Sequence, residues 1–191
     1  MLPCKCRAFS FLYKNPYTKE MKKIVQKDSP ALRQKAERVK LEEISSKKIQ
    51  GIISNMKETL NAERDGVGLA APQIGIPLRI FIVSRRAFLL ADGVPDAKRK
   101  DLVFINPKFV KRSKKKAQLY EGCLSVRWLY GNVKRSTNAT ITAYDEAGKK
   151  ITRGAGSLLA QIFQHELDHL DGILFIDKAT DIEEILPDAT E

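Results

Sequence analysis

The chain has 191 residues, 43% of them hydrophobic and 30% charged, which supports one substantial core and leaves no room for a second full domain. No apolar run reaches the roughly 18 residues of a membrane span, and three cysteines, two of them in Cys4-Lys5-Cys6, give no disulfide framework and fit a reducing cytoplasm. A net charge of +11 favours polyanionic surroundings but speaks to association and solubility rather than to fold.

Met21-Lys22-Lys23-Ile24-Val25 reads like the beginning of a domain, so residues 1–20 are taken as an N-terminal extension and 21–191 as a single domain. In the extension Lys5, Arg7, Lys14 and Lys19 stand without an acid until Glu20, and the apolar stretch from Ala8 to Tyr13 is broken by Ser10 and short for a secretory signal. An organellar transit peptide is the weaker alternative. Asp28-Ser29-Pro30 predicts a short helix from Ala31 to Glu37. Ile49, Ile52, Ile53, Met56 and Leu60 recur at steps of three and four after Ser45 and Ser46, predicting an amphipathic helix of about five turns that ends near Asp65-Gly66.

Gly66-Val67-Gly68-Leu69-Ala70-Ala71-Pro72-Gln73 is too rich in small residues for an ordinary strand and reads as a shaped loop. Strands are expected over Arg79 to Val83, Leu102 to Val110, Gln118 to Val126 and Ala139 to Asp145, with a turn at Asp145-Glu146-Ala147-Gly148. Ala91 to Asp101 and the basic run Lys111 to Lys116 read as exposed loops. The last helix runs from Ser157, an expected N-cap, to Gly172, an expected stop.

That helix holds His165-Glu166-Leu167-Asp168-His169, an HExxH motif containing the only two histidines of the chain. At about 100° per residue, Leu158, Ile162, His165 and His169 share an arc of roughly 40 to 60°. Both imidazoles therefore point the same way beside apolar side chains, with Glu166 at the boundary of that face. Two ligands and a proton carrier on one helix suit a hydrolytic metal, which usually takes three protein ligands and keeps a position open for water. The third ligand lies elsewhere. The extended His-Glu-x-x-His-x-x-Gly-x-x-His pattern fails because Phe175 stands where its last histidine belongs, and Glu183 and Glu184 sit in an acidic tail. Cys123, in Glu121-Gly122-Cys123-Leu124-Ser125 on an expected strand, is the remaining candidate, a buried small hydrophobe being its alternative reading.

Three segments together resemble the peptide deformylase family: Gly66 to Gln73, Glu121 to Ser125, and Gln164-His165-Glu166-Leu167-Asp168-His169-Leu170-Asp171-Gly172. They occur in the family's order, and the resemblance covers about Met21 to Asp177. It implies an α+β fold with antiparallel and mixed strands around a central C-terminal HExxH helix, forming one catalytic domain. It further implies ferrous iron bound by Cys123, His165 and His169, with zinc, nickel or cobalt able to replace it on isolation. The implied substrate is a nascent peptide beginning with N-formylmethionine, hydrolysed to formate and a free amine. Glu166 would shuttle the proton, and Gln73 with the backbone N–H of Leu124 would face the developing oxyanion. Gly68 would let the peptide's main chain approach, and Val67, Leu158 and Ile162 would line the methionine pocket. Glu121 and Arg135, with Asp168, match positions for ion pairing behind the ligands. Cys4 and Cys6 match nothing.

Two departures stand out. After Glu121 to Val126 the family commonly has proline, where this chain has Arg127-Trp128-Leu129-Tyr130; Trp128 reads equally as packing or as a lid. Many relatives also carry a basic C-terminal helix that docks on the ribosome, whereas this chain ends in the acidic Asp181 to Glu191. Lys111 to Lys116 offers a solvated surface or a contact to ribosomal RNA. A monomer without DNA or membrane partners is expected. The rival readings are a deformylase-like ribosome-associated binding protein without turnover, and another metal-dependent amidase or peptidase.

Overall fold

The structure is a computed structural model that describes residues 22–92 and 99–187; the N-terminal extension with Cys4 and Cys6 lies outside the described residues. The first expected helix is a single 3-10 turn, Pro30–Leu32. The chain bends at 33–34 and leaves the helical path, because Glu37 bonds the chain around Pro77 and Arg79 and forms a parallel bridge to Leu78. Helix α1 spans Lys47–Ala62, and the Ser46 hydroxyl accepts from the Ile49 N–H as an N-cap. Ile49, Ile52, Ile53, Met56 and Leu60 are all buried on one stripe, as their spacing requires.

Among the described residues, eight strands form two antiparallel sheets. The first contains β1 (Gly68–Ala70), β2 (Ile80–Val83), β3 (Leu102–Arg112), β6 (Asn138–Tyr144) and β7 (Lys150–Gly156) in the order β1-β2-β3-β6-β7. The second contains β4 (Lys116–Gly122), β5 (Leu129–Ser136) and β8 (Thr180–Glu184) in the order β4-β5-β8. A short helix α2, Arg86–Asp92, follows β2, and α3 spans Ser157–Leu170.

Register assigns the faces of the larger sheet. Leu69, Ile82 and Val103 are cross-strand partners, as are Ile80 and Ile105, and this face packs with α1. Ala70, Phe81 and Phe104 are partners on the opposite face, where Phe163 of α3 meets Phe104 edge-on with ring centroids 5.2 Å apart. Alternation along each strand thus gives one sheet two cores. The helix with the HExxH motif is clamped on the second of them.

Several elements differ from expectation. Part of the Gly-rich segment is a strand, β1, which runs directly into a 3-10 turn at Ala71–Ile74. The strand expected over Gln118 to Val126 ends at Gly122, because the Val126 N–H turns back to the Cys123 carbonyl. Lys111 and Arg112 continue β3, and Lys116 opens β4, so only 113–115 form the loop. The acidic tail pairs as β8, with Leu129 opposite Glu184 and Tyr130 opposite Glu183. At the start of α3 the cap position belongs to Gly156, because β7 runs into the helix without a linker, and Ser157 is already its first residue.

The end of α3 follows the sequence. Gly172 adopts φ +77°, its N–H bonds the His169 carbonyl, and the Ile173 N–H bonds that of Asp168, which is the double bond of a Schellman stop. A Cβ at Gly172 would stand 2.8 Å from the Arg33 carbonyl oxygen. Gly172→Ala is therefore expected to cost at least about 1–2 kcal/mol from the left-handed backbone alone. Urea unfolding that leaves its midpoint unchanged would contradict this packing.

Candidate metal centre and its cleft

One turn of α3 separates His165 from His169, so their rings lie on one face with centroids 4.8 Å apart. Cys123 reaches them from the turn after β4, its Sγ lying 3.2 Å from His169 Nε2. The three potential ligand atoms all fall within 4.8 Å of one another. His165 turns its Nδ1 to Glu121 Oε2 at 3.0 Å, which leaves Nε2 for the centre and fixes the ring. His169 is buried with its Nδ1 unpartnered among the described groups. One sulfur and two imidazole nitrogens are a donor set for a soft or borderline divalent metal, and three ligands leave a fourth position open. The residues fit such an ion.

Behind the ligands lies a chain of ion pairs. Arg135 on β5 holds Glu121 with two parallel bonds, Nε to Oε1 at 2.8 Å and Nη2 to Oε2 at 2.9 Å. Its third nitrogen bonds Asp168 of the motif, which also accepts from Lys178 Nζ at 2.7 Å. Burial pulls the Glu121 carboxyl upward, but the bonds from Arg135 and His165 outweigh it and hold the group down at about 2. Glu166 goes the other way. It is buried on the same helix, its Oε2 has no partner among the described groups, and burial pushes it up to about 7. Gly68 makes room for it: a Cβ there would collide with Glu166 Oε1.

Gln73 is also buried. Its Oε1 accepts from the Ala70 N–H at 2.7 Å, which aims Nε2 at Ser125 Oγ, 3.2 Å away, and at Cys123 Sγ, 3.6 Å away. The Ser125 N–H is 3.4 Å from the same sulfur. Two donors thus converge on the sulfur.

A cleft of about 320 Å³ opens over this group. Val67, Gly68, Gln73, Cys123, Leu124, Leu158, Ile162, His165 and Glu166 all line it, while His169 lies beneath. Every candidate residue from the sequence therefore converges here. Gly68 differs in detail, since the near neighbour it accommodates is the Glu166 carboxylate rather than a ligand. Sequence reading marked Arg127 to Tyr130 as a departure but not the partners these side chains take in the outer wall, nor Tyr120. Arg127 bonds Glu63 at 2.6 Å and Asp65 at 2.9 Å and lies over the Trp128 ring. Tyr120 and Tyr130 stack at 5.8 Å, and the Tyr120 hydroxyl donates to Glu183 at 2.6 Å. Only recognition of β4, β5 and β8 as paired strands could have shown Tyr120, Tyr130 and Glu183 to be neighbours. Glu183 is thus occupied with Tyr120 and is no ligand, in agreement with the exclusion of the acidic tail.

The fold and the site together place the chain among the α+β proteins built around an HExxH metal centre. A family model described as Polypeptide deformylase matches residues 21–184. The chain is 40% identical over 166 residues to Peptide deformylase 1A, chloroplastic/mitochondrial, of Arabidopsis thaliana, covering 83% of this chain and 61% of that protein. It is 39% identical over 158 residues to the peptide deformylase of Thermomicrobium roseum, covering 83% and 85%. Among solved structures, the Met-Ala-Ser-bound class I type b peptide deformylase of Acinetobacter baumannii superposes with a TM-score of 0.75 at 30% identity, covering 83% and 98% of the two chains. The chain belongs to the polypeptide deformylase family. It spans about three fifths of the length of the two plant relatives. No helix among the described residues is long and apolar enough to cross a membrane.

Glu121 lends itself to a test by pH. Its carboxyl is lowered on folding, so its contribution to stability is complete above the ordinary value of 4.5 and disappears as the pH falls toward about 2. Glu121→Gln leaves Arg135 buried beside one carboxylate instead of two and is expected to lose about 3 kcal/mol at neutral pH. Urea titrations of both proteins between pH 7 and 2 check this: the difference between them should shrink only below about 4.5.

Proposed function

We propose that this chain removes the formyl group from the N-formylmethionyl end of nascent polypeptides, releasing formate. The observation that carries the reading is the convergence of Cys123, His165, His169, Glu166 and Gln73 on one cleft. A divalent metal held by Cys123, His165 and His169 would lower the pKa of water and make hydroxide available near neutrality. Glu166, with its carboxyl near 7, accepts the proton of the attacking water and returns it to the leaving amine. Gln73 Nε2 and the Leu124 N–H face the formyl oxygen as negative charge develops on it.

The substrate's methionine side chain takes the apolar end formed by Val67, Leu158 and Ile162. Its main chain runs past Gly68 as an added strand. The similar Acinetobacter protein was solved with Met-Ala-Ser bound, a peptide with the same leading residue. One chain supplies all of these groups, so the working unit is a monomer. It acts in a reducing cytoplasm, where Cys123 stays unoxidised. Glu166→Gln is expected to keep its metal yet release formate from formyl-Met-Ala-Ser at least 10²-fold more slowly, the usual contribution of a positioned acid-base group. A variant within tenfold of the parent would remove Glu166 from the mechanism.

The working metal in this reading is ferrous iron, for which a mixed thiolate and imidazole set is suited. By the Irving–Williams order Fe²⁺ binds more weakly than Ni²⁺ or Zn²⁺, so aerobic isolation is expected to yield protein enriched in those metals. Anaerobic reconstitution provides the check. The ferrous form, with its metal content measured, should deformylate faster than the zinc form, and equal rates would discard iron.

A further inference from the structure

The charge of this protein is segregated. Three stretches, Leu102 to Tyr120, Gly131 to Tyr144 and Ala147 to Gln164, hold eleven Lys and Arg and no Asp or Glu. They account for the whole net charge of +11, so the rest of the chain is balanced. Folding gathers most of this charge, because these stretches supply β3, β6 and β7, three adjacent strands of one sheet; Lys134 and Arg135 stand apart on β5, where Arg135 is paired with Glu121 and Asp168.

The register shows which cations share a face. Ile105, Tyr144 and Lys150 are cross-strand neighbours, then Lys108, Thr142 and Thr152, then Lys111, Thr140 and Gly154. This is the same face that packs under α1 at its β1-β2 end. Beyond Tyr144 it turns from apolar to Lys and Thr, and Lys108, Lys111, Lys150 and Thr152 are exposed. The corner from β3 to β4 adds exposed Lys114, Lys115 and Lys116 beside it.

We infer that this uncovered half of the sheet is a docking surface for double-stranded RNA. A cationic patch with no carboxylate on its strands attracts a polyanion and gains from released counterions. The exposed Thr152 hydroxyl, in the row of Lys108 and next to that of Lys150, suits phosphate and 2′-hydroxyl groups, and a broad sheet face suits the wide, shallow minor groove of an A-form helix. A lipid surface fits less well. Membrane-binding faces present Trp, Phe or Leu on an amphipathic helix, whereas Val110 is the one large hydrophobic side chain standing out here among the described residues. The surface is also separate from the cleft: β4 runs from Lys116 to Gly122 at the cleft wall, about 20 Å along an extended strand. RNA held at the corner leaves the metal site open.

Anisotropy of a labelled 20-base-pair RNA duplex, read with the full-length protein, tests this. Binding is expected to weaken about 10²- to 10³-fold between 50 and 200 mM KCl, as roughly four or five phosphate contacts require. The triple variant Lys111→Glu, Lys114→Glu, Lys115→Glu should bind at least tenfold more weakly while releasing formate from formyl-Met-Ala-Ser within twofold of the parent rate. A control with the same charge change elsewhere, Lys23→Glu, Lys27→Glu, Lys35→Glu, should bind like the parent. The inference is overturned if the control loses as much affinity as the triple variant, if duplex DNA of the same sequence binds equally well, or if the parent prefers phosphatidylserine vesicles to RNA. Because RNA binding is read without turnover, its failure leaves the deformylase reading untouched, and the reverse holds too.

Discussion

The guanidinium of Arg135 is the point on which the metal centre depends. It is buried, and it belongs to a strand of the smaller sheet while its partners belong to β4 and to α3. A charge in such a place is tolerated only when it is paired and hydrogen-bonded, and the fork of two bonds to Glu121 together with the bond to Asp168 gives each of the three guanidinium nitrogens a carboxylate partner. The ion pairs thereby dock the smaller sheet against the helix that the larger sheet holds. Through Glu121 they also select the ring nitrogen that His165 turns toward Cys123. Architecture and ligand orientation rest on the same three side chains.

The site then separates two carboxyl groups that stand near one histidine. Glu121 faces Arg135 and His165 and is held at about 2; Glu166, buried against the bare Cα of Gly68, is pushed by that burial to about 7. Groups driven apart in this way take different tasks. One stays ionised as a fixed counter-charge, and the other can gain or lose a proton near neutral pH. Gly68 serves the second of these through absence, since any side chain there would displace the carboxylate.

Sequence was informative where chemistry is local. The stripe of α1, the stop at Gly172 and the pairing of His165 with His169 follow from helical spacing, and all are present in the structure. The strands β5, β7 and β8 were not legible. Glycines, basic residues and acids interrupt the few strand formers in them, such as Tyr130, Val133, Ile151 and Ile182, so their strand character comes from pairing partners more than from propensity. The acidic tail illustrates this: Thr180 to Glu184 is exposed throughout, and it becomes a strand because β5 offers it an edge. Cys123 shows the same limit at one residue. Its neighbourhood reads as extended, but a turn after Gly122 is what swings the thiol toward the helix.

The departure at Arg127 and Trp128 becomes intelligible once the wall of the cleft is seen. A proline at position 127 would supply a rigid turn and no charge. Arginine supplies two bonds across the mouth instead, to Glu63 and Asp65 just beyond the end of α1, and lies 5.2 Å over the Trp128 ring. Those carboxylates precede Gly66-Val67-Gly68, so the bridge links the segment that makes room for Glu166 to the one that carries Cys123. Each of its pairs is partly exposed, and such pairs contribute little to stability singly. Their consequence is geometric. Held at both sides of the cleft, the Gly-rich segment and the Cys123 turn keep a fixed separation, which is what a site acting through a positioned carboxylate and a positioned amide requires.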